Sequence, residues 1–221
     1  RSIAAPVVLW ENSRSTFAGS RWMFVNLPLT ASFWEQDGAK EIVKWAQFCA
    51  KGVTELSLKP NYATYEPGER AALTLQGQIL QRAGDRRTAS ELWTFDLTVE
   101  REDRTSGTAE KVWSHKLQME LTGEQQFVRL PLPFLVESGL YRVVCRAQGP
   151  DGEVRNLRQG FWGQDDALLA EGEVITRGRD YFVKEGRPLP VVGMTYMTSD
   201  VARKFLFLPN ADVWDRDMAQ M

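Results

Sequence analysis

Residues 139–149 read Gly139-Leu140-Tyr141-Arg142-Val143-Val144-Cys145-Arg146-Ala147-Gln148-Gly149, and the reading of this stretch decides the fold. Tyr141, Val143, Cys145 and Ala147 fall on one side of a two-residue period, with Arg142 and Arg146 on the other, the pattern of a strand with one buried and one wet face. Glu137-Ser138-Gly139 before it is a turn, and a tyrosine placed just after such a turn can return its hydroxyl to the backbone. An apolar strand face needs a second layer to cover it. The expectation is a late strand of a two-sheet sandwich.

The flanking sequence supplies the other strands. Tyr65-Glu66-Pro67-Gly68-Glu69 is a Pro-Gly turn that launches Leu73, Leu75, Gly77 and Ile79 on one face. Residues 84–87 read as a loop. Trp93, Phe95, Leu97 and Val99 alternate with Thr94, Asp96 and Thr98, and after a turn over 103–108 a further face carries Trp113, His115, Leu117, Met119 and Leu121. Residues 127–132 give another strand, ended by Pro131 and Pro133, which cannot donate to a central ladder. A last strand over 154–162 follows the Gly149-Pro150-Asp151-Gly152 turn. About seven strands between residues 56 and 164 is the size of an immunoglobulin-like β-sandwich. The fold class expected is mainly β, with an N-terminal α/β segment and a C-terminal hairpin flanking that sandwich.

Length and charge bound what else the chain can be. Its 221 residues hold enough apolar sequence for a sizeable core without metal or disulfide help. Lys plus Arg is 27 against 29 for Asp plus Glu, so no global field draws the chain to nucleic acid or to an anionic membrane, and neither is an expected partner. Arg82, Arg86, Arg87, Arg101 and Arg104 read as a solvated face. No apolar run approaches the roughly 20 residues of a membrane span. The opening Arg-Ser-Ile-Ala-Ala-Pro is not a basic start leading into a long apolar stretch, so a secretion signal is not expected within these residues. Cys49 and Cys145 are too few for a zinc cluster; nothing in their placement indicates a disulfide, which stays the alternative, and buried free thiols are the expectation. His115, the only histidine, has no second His or paired Cys nearby and reads as a partly buried structural residue rather than a ligand. Trp93, Trp113 and Trp162 could form a sugar-stacking platform, but their strand positions point them inward, into the core. No cofactor and no metal is expected.

Residues 1–52 follow a different pattern. Val7-Val8-Leu9-Trp10 and Arg21-Trp22-Met23-Phe24-Val25-Asn26-Leu27 are short apolar runs of the kind found in buried strands. From Asp37, read as an N-cap, Ile42, Trp45, Ala46 and Cys49 recur at helical spacing, and Gly52 stands where a C-cap belongs. Strand, loop, strand and helix in this order resembles the closing segment of a glutamine-amidotransferase-like α/β domain, of the kind found in some multidomain bacterial β-galactosidase-type enzymes.

After an expected linker at 165–177, with Leu168-Leu169 as a short anchor, comes the segment with the strongest resemblance. Tyr181-Phe182-Val183-Lys184-Glu185-Gly186-Arg187-Pro188-Leu189-Pro190-Val191-Val192-Gly193-Met194-Thr195-Tyr196 reads as two short strands about a Glu-Gly turn. It resembles the opening of the (β/α)8 barrel in retaining glycoside hydrolases, with Gly186, Arg187, Pro188, Gly193 and Tyr196 at the matching positions. The resemblance implies that a hairpin closes the barrel floor, that residues 191–194 form the first barrel strand, and that Thr195 and Tyr196 bind substrate at its catalytic end. Residues 210–221 then look like the first barrel helix. Such enzymes use two carboxylates from later strands, which lie beyond this segment, so no catalytic residue is expected here. Asp200, Asp212, Asp215 and Asp217 read as helix-capping and dipole residues.

The sequence reading is therefore a non-catalytic segment of a multidomain bacterial glycoside hydrolase. It comprises an α/β tail at 1–52, an accessory sandwich at 56–164, and the start of a barrel at 178–221. The resemblance implies a carbohydrate substrate for the parent enzyme, a partner in the remainder of the barrel or another subunit, and a periplasmic or secreted location. The competing reading is a free-standing sandwich that binds a glycan or a protein.

Overall fold

A computed structural model describes residues 5–80, 90–103, 107–193, 195–196 and 209–221. The loop expected at 84–87, Arg82, Arg104, Asp200 and Met194 lie outside the described residues. In chain order the elements are β1 (Val7–Glu11), β2 (Arg21–Val25), α1 (Ala31–Glu35), α2 (Gly38–Ala50), β3 (Val53–Pro60), β4 (Thr64–Tyr65), β5 (Ala72–Leu80), β6 (Glu91–Glu102), β7 (Ala109–Leu121), β8 (Gln126–Pro131), β9 (Gly139–Gln148), β10 (Val154–Gly163), α3 (Asp166–Glu171), β11 (Thr176–Arg177), β12 (Phe182–Lys184), β13 (Arg187–Leu189) and α4 (Ala211–Gln220). The chain is mainly β.

Two sheets share one core. The first runs β4-β10-β9-β6-β7 and the second β3-β5-β8. All pairs within them are antiparallel except the short parallel pair of β4 with β10. Alternation decides which residues meet between the sheets: Trp93, Phe95, Leu97 and Val99 of β6 and Tyr141, Val143, Cys145 and Ala147 of β9 face Leu73, Leu75 and Ile79 of β5, and all are buried. The strand at 139–149 is thus central, with a neighbour on each edge. The Tyr141 hydroxyl accepts the Glu137 N–H at 2.9 Å, as the turn before it requires, and its ring stacks on Phe161 at 4.7 Å and on Phe134 at 5.8 Å. Burial pushes the Tyr141 hydroxyl pKa above its ordinary value, which keeps it a neutral phenol in this bond.

Edge positions depart from the expectations. His115 is exposed on β7, where its ring stacks on half-buried Trp113 at 5.5 Å. β7 is the outer strand of the larger sheet and, among the described residues, has a strand neighbour, β6, on one edge only. Of the three tryptophans expected in the core, Trp93 is fully buried, whereas Trp113 and Trp162 are half-buried.

The N-terminal runs form strands, but not buried ones. β1 and β2 make a two-stranded antiparallel ribbon with Trp10 opposite Trp22 and Val8 opposite Phe24. One face of the ribbon packs toward α2. On the other, Trp10, Trp22 and Phe24 are 59%, 45% and 48% exposed. Asp37 stands at the N-cap of α2 without a side-chain capping bond, and Gly52 follows the helix at φ +85°. Ile42, Trp45 and Cys49 are half-buried and Ala46 is exposed, so Cys49 is a free thiol that is not fully enclosed, unlike Cys145. The stretch expected as a linker holds α3, capped by the Asp165 carboxylate on the Leu168 N–H at 3.0 Å, and β11.

Candidate functional site

The segment that resembles a barrel opening folds locally as the sequence dictates. β12 and β13 pair with Phe182 opposite Leu189, Val183 opposite Pro188 and Lys184 opposite Arg187. The two turn residues, Glu185 at φ 52° and Gly186 at φ 70°, both adopt the left-handed region that a two-residue hairpin turn of type I′ demands. β11 adds a third strand beside β12. Of the first barrel strand expected at 191–194, residues 191–193 lie in no strand, with Val191 and Val192 72% and 94% exposed, and Met194 lies outside the described residues. Among the described residues no strand pairs with 191–193, and without a ladder partner backbone groups gain nothing over hydration.

The two expected sugar-binding residues are placed differently. Thr195 is exposed, while Tyr196 is half-buried and its hydroxyl donates to the Asp217 Oδ2 at 2.9 Å. Asp217 is buried in α4 and also accepts from Arg216 at 3.2 Å. This bond ties the end of the 182–196 segment to α4.

α4 is itself fastened to the sandwich. Asn210 caps it, its side-chain oxygen accepting the Val213 N–H at 3.4 Å while its Nδ2 donates to the Arg158 carbonyl at 3.1 Å. The Arg142 guanidinium meets Asp212 at 3.0 Å, Asp215 at 2.8 Å, and Glu102. The helix can come this close because β10 carries Gly160 beneath it. A Cβ there would lie 2.5 Å from the Asp212 nitrogen. Asp212 is in the first turn, where the helix dipole favours it, but Asp215 and Asp217 act in docking rather than in capping.

A second ionic cluster fastens the N-terminal ribbon to the opposite end of the β9–β10 pair. Arg21, whose side chain is 1% exposed, donates to Glu11 and to Glu153, each at 2.7 Å, and to the Phe48 carbonyl at 3.2 Å. Its guanidinium also lies 4.1 Å from the centre of the Phe48 ring. Arg155 closes the cluster, bonding Glu11 through Nη1 at 2.8 Å and Glu153 through Nε at 3.0 Å. Burial raises the Glu11 carboxyl pKa, but hydrogen bonds and charge from Arg155 and Arg21 outweigh it and hold the carboxyl below its ordinary range.

Chemically these arrangements bind and orient. The carboxylates gathered here are engaged by arginine or tyrosine. Among the described residues no group of three or more His, Cys, Asp or Glu side chains is placed to hold a metal ion. No described helix is long and apolar enough to cross a membrane. Neither ionic cluster was legible in the sequence, since Glu11 and Arg155 are separated by 144 positions and Arg142 and Asp215 by 73. The one local signal was Gly160, a side-chain-free position inside a strand pattern, which marks a close approach.

No family model matches the chain, and no curated protein matches it. Among solved structures it is similar to the sporulation control protein Spo0M of Bacillus subtilis, at 14% identity and a TM-score of 0.37, over 57% of this chain and 58% of that one. It is similar to the alkylpurine DNA glycosylase AlkC of Pseudomonas fluorescens, at 16% identity and a TM-score of 0.34, over 61% of this chain and 38% of that one. A putative β-galactosidase from Bacteroides fragilis shows 21% identity and a TM-score of 0.27, over 62% of this chain and 18% of that one. The chain spans less than two thirds of each of these proteins, and likenesses this weak settle neither fold nor function.

Proposed function

We propose that the chain is the non-catalytic junction of a multidomain glycoside hydrolase, in which an immunoglobulin-like accessory sandwich joins an α/β domain to the opening of a (β/α)8 barrel. The observation that carries this reading is the β12–β13 hairpin. Three residues of the barrel-opening motif, Gly186, Arg187 and Pro188, fall together in one tight hairpin whose turn residues have the required positive φ. The exposed run after it supports the reading, because Tyr181, Val191 and Val192 offer an apolar surface for the remainder of the barrel to cover. The strand order, with the short β4 parallel to β10 at the sheet edge, supports an immunoglobulin-like sandwich. In this arrangement the sandwich serves as a splint: one ionic cluster grips the N-terminal ribbon, and the other grips the first barrel helix α4.

The division of labour follows from the carboxylates. Retaining hydrolysis needs two of them about 5 Å apart across the scissile bond, and in this reading later barrel strands supply them. Thr195 and Tyr196 line the sugar side of the first barrel strand once that strand is paired, and Tyr196 then exchanges Asp217 for substrate. The test is the longer reading frame, expressed and assayed on aryl β-glycosides. The proposal expects activity in the parent protein, none in residues 1–221, and a Tyr196→Phe variant of the parent whose turnover falls more than its melting temperature. A reading frame without six or more βα units after residue 221, or a parent inactive on every glycoside, overturns it.

A further inference from the structure

At one end of the sandwich a cleft of about 350 Å³ opens between the strands and α3, lined among others by Thr64, Arg101, Asp103, Trp162, Gln164 and Leu169. We propose that this cleft is a second, non-catalytic carbohydrate site that takes a single neutral pyranose ring, with the Trp162 indole as its stacking wall. The volume is at the lower end of the range for small-molecule pockets, which suits one ring rather than an extended chain.

The chemistry of the walls excludes other ligand classes. The positive charge of Arg101 is already met by Glu137, and its Nε donates to the Ser138 carbonyl at 3.2 Å. With Asp103 and Asp165 also on the wall, an anion gains no net attraction. A cation fares little better, since Asp165 is committed to capping α3 and Arg101 lines the same cleft. A purely apolar ligand would desolvate the polar wall without replacing its hydrogen bonds. A neutral polyhydroxylated ring satisfies both halves: its apolar C–H face covers the indole, and its hydroxyls meet the polar groups. Among the described residues the Trp162 indole N–H and the Thr64 hydroxyl make no hydrogen bond to the protein. The walls are held before any ligand arrives. The Trp162 backbone is held by its N–H bond to the Ala63 carbonyl at 2.8 Å, and the Gln164 side chain by the bond from its Nε2 to Asp166 at 2.6 Å. This site extends the carbohydrate reading above and does not depend on the barrel.

The test is saturation-transfer-difference NMR on the 221-residue protein with methyl β-D-glucoside, methyl β-D-galactoside and cellobiose as probes. The expected result is transfer concentrated on one face of a pyranose ring, with apparent affinity weakened about tenfold in Trp162→Ala, the loss of one stacking contact. Trp113→Ala, which removes a ring that does not line the cleft, leaves it unchanged. If Trp162→Ala does not fold, Leu169→Trp decides. Leu169 is 66% exposed, so the larger ring fills the cleft without entering the core and abolishes transfer. Transfer that survives the folded cleft variants, or no transfer with any of the three probes, overturns the site. Cleft-dependent binding by this protein alongside a parent that hydrolyses no glycoside would leave the site standing and remove only the enzymatic reading.

Discussion

Tyr141→Phe isolates one hydrogen bond in the middle of the fold. The tyrosine is 1% exposed, so its ring contributes fully to the core, and phenylalanine keeps both stacking contacts, with Phe161 at 4.7 Å and Phe134 at 5.8 Å. What disappears is the bond from the Glu137 N–H to the hydroxyl at 2.9 Å. A net intramolecular hydrogen bond is worth about 1 kcal/mol, and a donor left unserved adds to that. Because the turn around Glu137 reaches solvent, water recovers part of the second contribution, so the expected loss is about 1 to 2 kcal/mol. For a chain of this size that corresponds to about 2–8 °C in melting temperature. By contrast Tyr141→Ala also removes the ring and leaves a cavity, at a cost of about 3–5 kcal/mol. Urea unfolding followed by near-ultraviolet circular dichroism measures both. An unchanged midpoint for Tyr141→Phe at the same denaturant slope would show that the hydroxyl does not hold the turn. A loss equal to that of Tyr141→Ala would show that the ring stack, not the bond, had been disturbed.

Other perturbations test the joints. Gly160→Ala places a methyl against the Asp212 backbone, so α4 should lift from β10, and hydrogen exchange at residues 213–218 should speed up while the β9 amides stay protected. The lowered Glu11 pKa makes attachment of the N-terminal ribbon pH-dependent: its contribution is present above the ordinary glutamate pKa and is lost as pH falls through the depressed folded value. The ribbon amides should therefore lose protection on acidification before the sandwich unfolds, and Glu11→Gln should remove that step. Cys145, whose thiol is pushed up to about 12 by burial and by the nearby Asp96 charge, should resist a thiol reagent at pH 8 in the folded protein, whereas the half-buried Cys49 reacts. Equal labelling of both at native protection would refute the burial argument.

The sequence by itself determined the inside of the sandwich. Two-residue alternation in β5, β6 and β9 names the core directly, because in a strand the side-chain direction is set by position alone and a one-residue slip would turn every apolar group outward. The Glu185-Gly186 hairpin was equally legible, since a two-residue turn depends only on local backbone conformation. Only the tertiary structure decided how far each apolar strand is covered. Val8, Trp10, Trp22 and Phe24 are as apolar as any core strand, yet Trp10, Trp22 and Phe24 stay exposed on that face of the ribbon among the described residues, and His115 is exposed on β7, the edge strand of its sheet. Residues 191–193 show the same limit in another form: a run suited to a barrel strand stays irregular where no neighbouring strand is paired with it. The candidate site was the least legible part. Its arginines and carboxylates come from positions far apart in the chain, and charge has no period that would betray a distant partner; proximity alone makes Arg142 and Arg155 the two fasteners of the fold.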